Sequence, residues 1–154
     1  QTSGITEVTI PTSVSSIGQY GFRYCDNLTS ASVYCDKVGD LMFQFCKNLS
    51  EVEMLNVKEI GTLAFADTNI SEVVIPETVT MVGAGAFSCL NLKTVYIKAP
   101  TPPQVSLYFG FWQAFNNLEN VGGIIYVPFE SLELYKNAEY WSEYSDLYVG
   151  YSFE

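Results

Sequence analysis

The chain has 154 residues, of which 48% are hydrophobic and 15% aromatic, so it can fold around a core of its own. Its net charge is −10, with seven basic against 17 acidic residues, and such a surface repels nucleic acid and anionic lipid. The sequence has no histidine and no Cys-x-x-Cys pair, which argues against a zinc site and histidine-dependent catalysis. It also lacks the roughly 18 uninterrupted apolar residues of a membrane helix, so we expect no nucleic-acid partner and no transmembrane segment.

One short pattern recurs along the chain. An apolar residue followed by further apolar residues three and five positions later begins at residues 5, 28, 49, 70 and 92. The copies are therefore 23, 21, 21 and 22 residues apart, within the period of about 20–29 residues of a leucine-rich repeat. We expect a β-rich α/β solenoid, a right-handed leucine-rich-repeat coil of about five repeats with short strands and short helical turns.

The first repeat shows the parts that each coil should contain. Residues 6–10 alternate polar and apolar side chains, which indicates a half-buried strand that Pro11 ends. Gly18 is expected at a tight corner, where a side chain would be costly. A short helical or irregular turn that begins at Gly21 should then place Phe22 at the end of the coil.

Two of the four cysteines occupy the same position of successive repeats. Cys25 and Cys46 each lie three residues after a phenylalanine. Neighbouring strands are about 4.8 Å apart, which overlaps the Cα separation of a disulfide, so a bridge is geometrically allowed. We favour two buried thiols instead, because this position faces the core.

The end of the chain departs from the repeat and predicts a cap. Residues 122–128 read as a strand, and 130–138 read as a helix with Leu134 among its inward apolar residues. A solenoid leaves its last apolar layer exposed, so a dissimilar terminal segment is expected to cover it. No comparable segment precedes the first strand, so we expect further residues upstream in the parent protein. We assign one domain to the chain, namely 1–154, with repeats at 1–117 and a C-terminal strand-helix cap at 118–154.

The repeat I-x-x-V-x-I-P-x-x-V-x-x-I-G-x-x-A-F-x-x-C-x-N, carried by residues 5–117, resembles the BspA-type leucine-rich repeats of bacterial cell-surface proteins. The prolines at 102–103, the segments 125–128 and 132–136, and Trp141 are similar to the ending of many such proteins. The resemblance implies a secreted or surface-anchored module that is not an enzyme and is associated with adhesion to host matrix proteins and other cells. It implies no cofactor and no shared binding residues.

The outward side of the strands is the first candidate binding surface. Since residues such as Val8 should face the core, the residues between them should form two outward ladders. The candidates on these ladders are Glu51, Glu53, Glu72, Val74 and Tyr96. Glu51 and Glu72 should be cross-strand neighbours of like charge, which favours a basic partner or a cation. A merely solvated acidic face is the simpler alternative, because salt screens such pairs.

An aromatic stretch at 108–112 is the second candidate surface. It contains Tyr108, Phe111 and Trp112, and four of its five residues are aromatic. These rings either cover the core near the cap, which the usual burial of large apolar groups favours, or form a binding platform for a protein or a sugar.

We expect a monomeric, extracellular, non-catalytic module whose macromolecular ligand is a protein. The alternatives are a carbohydrate-binding surface module, which requires Trp112 or Tyr108 to be exposed, and a structural spacer within a larger surface protein.

Overall fold

The structure, a computed structural model that describes residues 4–154, is a stack of coils built from short parallel strands. The strands, in chain order, are β1 Glu7–Ile10, β2 Ser30–Val33, β3 Lys37–Val38, β4 Glu51–Met54, β5 Glu59–Ile60, β6 Glu72–Ile75, β7 Met81–Gly83, β8 Thr94–Ile97, β9 Gln104–Ser106, β10 Ile124–Pro128 and β11 Tyr148–Tyr151. Each repeat contributes one longer strand to one face, and most contribute a shorter strand to a second face. The expected solenoid is confirmed.

The longer strands form two parallel sheets, ordered β1-β2-β4 and β6-β8-β10-β11. The cap strand β10 pairs with β8 in the register of the repeats, so the cap continues the solenoid. One bond across the break between the sheets is excluded by the sequence, because Pro76 directly follows β6 and has no amide hydrogen to donate to β4. The residues after β2, β4 and β8 donate to the preceding coil; these bonds are Tyr34 to Ile10, Leu55 to Val33, and Lys98 to Ile75.

The shorter strands form the third sheet, ordered β3-β5-β7-β9, and a column of glycines lets their coils approach closely. A Cβ on Gly83 would lie 2.3 Å from the backbone nitrogen of Thr62, and one on Gly61 would lie 2.6 Å from that of Asp40. At Gly18 a Cβ would meet no atom within 4 Å, so the costly corner expected there is wrong. The later glycines are needed for contact between coils.

A column of stacked phenylalanines, which we call the Phe ladder, runs along the ends of the coils. Its members are Phe22, Phe43, Phe65, Phe87 and Phe115, whose successive ring centroids are 5.2 to 5.8 Å apart. The turns that carry these rings also bond from coil to coil, since the Phe65 amide donates to Ala86 oxygen at 2.8 Å. Within residues 4–154 the helical segments all lie in the cap, and the repeats connect through non-helical turns, so the short helical turns expected within the repeats are not found there.

The cap packs large side chains onto the last coil. A 3-10 turn, Phe129–Ser131, leads into helix α1, Leu132–Asn137, and a kinked 3-10 segment spans Trp141–Leu147. The Trp141 indole donates to Pro103 oxygen at 2.7 Å.

Helix α1 is shorter than the predicted 130–138, and one of its expected core residues points away. Leu134 is 54% exposed, whereas Tyr135 is buried and donates to Ala99 oxygen at 2.9 Å. Residues three apart share a helical face, so Leu132 and Tyr135 lie inward and Leu134 does not. The expected inward position of Leu134 is therefore wrong.

All four cysteines are free and buried, as expected for Cys25 and Cys46. The Cys46 thiol donates to Phe22 oxygen at 2.9 Å. Burial raises the pKa of Cys46 to about 11 and also raises that of Cys89 to about 11. These thiols act as small core side chains, since the reactive form of cysteine is the thiolate.

Candidate functional site

The outward side of the longer strands, which we call the strand face, carries five of the eight candidate residues. Glu51, Glu53 and Glu72 are exposed, and Val74 is exposed beside the half-buried Tyr96. Val74 pairs with Tyr96 in the register of β6 and β8. The period-two alternation of the strands therefore orients these side chains as predicted.

The three glutamates, which we call the acidic patch, lie on both sides of the break between the sheets. They line one open depression of about 490 Å³ between β2 and β6. Because β4 and β6 belong to different sheets, Glu51 and Glu72 do not form the expected hydrogen-bonded cross-strand pair, although both line this depression as neighbours of like charge.

The acidic patch is uncompensated by nearby lysine. In the part of the chain that the structure describes, the lysines of the ion pairs contact Glu59, Asp36 and Glu133, and none contacts the acidic patch. The Glu53 carboxylate accepts a hydrogen bond from the Tyr34 hydroxyl at 2.5 Å, which fixes its position. The acidic patch thus presents negative charge to solvent.

Four aromatic rings, which we call the aromatic patch, meet at the cap end of the strand face. Tyr96 and Tyr126 stack with centroids 4.9 Å apart and an interplanar angle of 13°. Tyr151 lies edge-on to Tyr96 at 5.7 Å, and Phe153 packs against Tyr151 at 4.8 Å. The chain after β11 thus crosses back toward β8, and the rings hold one another in place.

A second open depression, of about 500 Å³, lies beside the aromatic patch and shares Val74 with the first. Lys98 closes its far side, with the ammonium 5.9 Å from the centroid of the Phe153 ring. Burial among neighbouring groups, and then the negative charge of Glu72, raise the pKa of Tyr96. The acidic patch and the aromatic patch therefore belong to one continuous surface.

The remaining candidates form a small hairpin near the cap, residues 108–111, which we call the aromatic hairpin. Tyr108 and Phe111 exchange backbone hydrogen bonds of 2.9 and 2.8 Å across Phe109 and Gly110, both at positive φ. Phe109 is 88% exposed, Phe111 67% and Tyr108 41%.

Trp112, directly after the aromatic hairpin, is half-buried and packs on Tyr140 and Tyr144 at 5.7 and 6.1 Å. The two alternatives for residues 108–112, core covering and an exposed platform, therefore apply to different residues. Trp112 covers the core, and the hairpin presents its rings to solvent.

Sequence reasoning missed three of the four rings in the aromatic patch. Tyr126 had a usable signal, because it alternates with Ile125 and Val127 in a predicted strand and should face outward. Tyr151 and Phe153 had none, since only the return of the chain over β10 brings them to Tyr96.

Within residues 4–154, no group of three or more His, Cys, Asp or Glu side chains is placed to hold a metal ion. The helices found in this same part of the chain are too short and too polar to cross a bilayer.

Comparison with known proteins identifies the type of repeat that carries this surface. The family model described as BspA type Leucine rich repeat region matches residues 1–106 in six copies, where the apolar pattern alone gave about five. No curated protein sequence matches the chain.

Solved structures of bacterial repeat proteins are also similar. A leucine-rich repeat protein from Bacteroides capillosus ATCC 29799 is 29% identical over 63% of this chain and 80% of that chain, with a TM-score of 0.54. A leucine rich cell surface protein from Faecalibacterium prausnitzii A2-165 is 26% identical over 64% of this chain and 34% of that chain, with a TM-score of 0.50. A leucine-rich repeat protein from Bacteroides ovatus ATCC 8483, at 17% identity and a TM-score of 0.54 over 79% of this chain and 37% of that chain, shares the fold.

Proposed function

Because the chain belongs to the BspA-type leucine-rich-repeat family, we propose that it is a non-catalytic, secreted or surface-anchored module that binds host or matrix proteins. A rigid scaffold whose inward residues repeat and whose outward residues differ suits recognition better than chemistry. The Faecalibacterium prausnitzii relative is described as a cell surface protein, which supports an extracellular location.

The observation that carries the proposal is the strand face itself. It joins the acidic patch to the aromatic patch across Val74, with two open depressions along it. Clustered aromatic side chains are typical of the residues that dominate binding energy in protein interfaces. The exposed rings of the aromatic hairpin form a second, separate surface, which serves as the control in the experiment below.

Binding to immobilised extracellular-matrix proteins tests the proposal. Three chains are compared: the wild type, a strand-face variant carrying Glu51→Ala, Glu53→Ala and Tyr96→Ala, and a hairpin variant carrying Phe109→Ser and Phe111→Ser. We expect the wild type to bind at least one matrix protein and the strand-face variant to lose roughly tenfold or more in affinity, since loss of a single hot-spot residue costs about 2 kcal/mol. The hairpin variant should bind as the wild type does.

Two results would contradict the proposal in different ways. If the wild type binds none of the matrix proteins, the alternative of a structural spacer would be favoured. Equal affinity of the wild type and the strand-face variant would show that the strand face is not the binding surface.

A carbohydrate-binding module is the second candidate, because Tyr108 is 41% exposed, as that hypothesis requires. A glycan array should then give a signal that Tyr108→Ala abolishes. Trp112→Ala should also reduce the glycan signal, but by disturbing the packing of the cap, because Trp112 packs on Tyr140 and Tyr144.

A further inference from the structure

The strand face has a direction, set by the order of its chemical groups. The acidic patch lies at β4 and β6, the aromatic patch lies at β8 to β11, and the exposed Val74 joins the two depressions between them. Lys98 lies at the far side, next to Phe153. A ligand that is positive at one end and apolar at the other would match this order of groups.

The length of the surface suits a short extended peptide. From β2 to β8 there are three strand-to-strand steps of about 4.8 Å, or about 14 Å in all. An extended chain advances about 3.3 Å per residue, so roughly four or five residues span this distance. Both depressions are open along the surface, which suits a chain that passes over the strands.

The rings of the aromatic patch hold one another in a fixed arrangement. Tyr96 and Tyr126 lie parallel at 4.9 Å, so each covers one face of the other. Tyr151 and Phe153 approach Tyr96 edge-on at 69° and 78°. The second depression lies beside these rings; Val74 and Tyr96 give it an apolar wall for a side chain, and Lys98, Ser152 and Glu154 also line it.

Resting on the proposed protein-binding function, we infer that the strand face binds an extended basic segment of the partner. Its Lys or Arg side chains lie over Glu51, Glu53 and Glu72, and an apolar side chain follows them into the second depression beside Tyr96. Charge complementarity identifies this occupant, because the acidic patch is exposed and has no lysine partner among the described residues. The aromatic end carries both Lys98 and Glu154, so excess negative charge is confined to the acidic patch, where the basic side chains bind.

Fluorescence anisotropy with labelled peptides tests the inference on the full chain. The probe has three lysines, a glycine and a phenylalanine; its counterparts replace the lysines by glutamates or the phenylalanine by alanine. We expect only the two lysine peptides to bind, the alanine version more weakly. Binding should weaken as salt rises, because about 0.1 M salt already screens exposed charges beyond about 10 Å.

Two triple variants of equal charge separate a local effect from a general one. Glu51→Gln, Glu53→Gln and Glu72→Gln should weaken the lysine peptide roughly tenfold, since exposed pairs each contribute a few tenths to one kcal/mol. Glu119→Gln, Glu139→Gln and Glu143→Gln, all exposed in the cap, should leave the affinity within about twofold. Equal losses in the two triple variants, or no binding of the lysine peptide, would overturn the inference.

The outcome does not depend on the matrix-protein experiment. If a matrix protein binds the wild type while the lysine peptide does not, the protein-binding function stands and the basic-segment inference fails. If the lysine peptide binds with the predicted variant pattern while no matrix protein does, the inference about chemistry stands and the proposed class of partner fails.

Discussion

The Phe ladder and the aromatic patch are both stacks of rings carried by successive coils, but only the first lies in the core. Phe43 and Phe65 stack at 5.2 Å, and Tyr96 and Tyr126 stack at 4.9 Å, so ring geometry hardly distinguishes them. Burial does, because Phe65 is fully buried and Tyr96 is not. Stacking follows from the repeat spacing at either position, and exposure decides which stack is available to a partner.

Removal of a ring from the middle of the Phe ladder is expected to have the largest effect on stability. Phe65→Ala should lower the free energy of unfolding by about 3–5 kcal/mol, because it leaves a cavity between two stacked neighbours. Urea denaturation measures this change. A loss under about 1 kcal/mol would show that the ladder does not support the coils.

The glycine column offers a matched pair of substitutions of intermediate effect. Gly83→Ala should destabilise the chain by about 1–3 kcal/mol, because the new Cβ would lie 2.3 Å from the Thr62 nitrogen. Gly18→Ala should leave the stability unchanged or raise it slightly, since its Cβ has open space. Equal melting temperatures of the two variants would contradict the close approach of the coils.

Alkaline pH should destabilise the chain, because buried groups of the cap and of the repeats must lose protons. Burial raises the pKa of Tyr144 from 10.0 to about 12, so the unfolded chain loses that proton first and stability falls as pH rises above about 10. At pH 11 the loss from Tyr144 alone is about 1.4 kcal/mol. By the same argument, Cys46 and Cys89 cause further losses of stability as the pH rises above 9.0, the ordinary pKa of their thiols.

Urea denaturation between pH 8 and 11 measures this loss, with Tyr144→Phe as the control. The control should show a shallower decline by about 1.4 kcal/mol. Identical slopes in the two chains would contradict a buried, neutral Tyr144.

Removal of a ring from the aromatic patch should have the smallest effect on stability. Tyr126→Ala is expected to cost only about 1 kcal/mol, in the range of an aromatic pair, because the patch lies outside the core. The same urea experiment used for Phe65→Ala measures it. A loss as large as that of Phe65→Ala would make the aromatic patch a structural element and remove the contrast between the two stacks.

The repeat architecture was predictable from the sequence because it depends on a period. The apolar spacing from Leu49 and from Ile70 is enough to orient Glu53 and Val74 outward, as the structure confirms. The cap was also predictable, since the repeat pattern stops before a strand at residues 124–128.

The features that the sequence did not reveal depend on contacts between distant segments. The break between β4 and β6 has only one signal in the sequence, the missing amide of Pro76, and the similar Pro11 has no preceding coil among the described residues. Tyr151 and Phe153 join Tyr96 only because the chain end returns across β10. Leu134 was misplaced because a six-residue helix has too few turns for its inward face to be read from the pattern.

The most direct test of the central claim maps a bound ligand onto the chain by nuclear magnetic resonance. Backbone amide shifts are followed as the lysine peptide is added to the isotope-labelled wild type. We predict that the changes concentrate in β4, β6 and β8, including Glu53, Val74 and Tyr96. Changes confined to the aromatic hairpin at 108–111, or to the sheet of β3, β5, β7 and β9, would contradict the claim that the strand face is the binding surface.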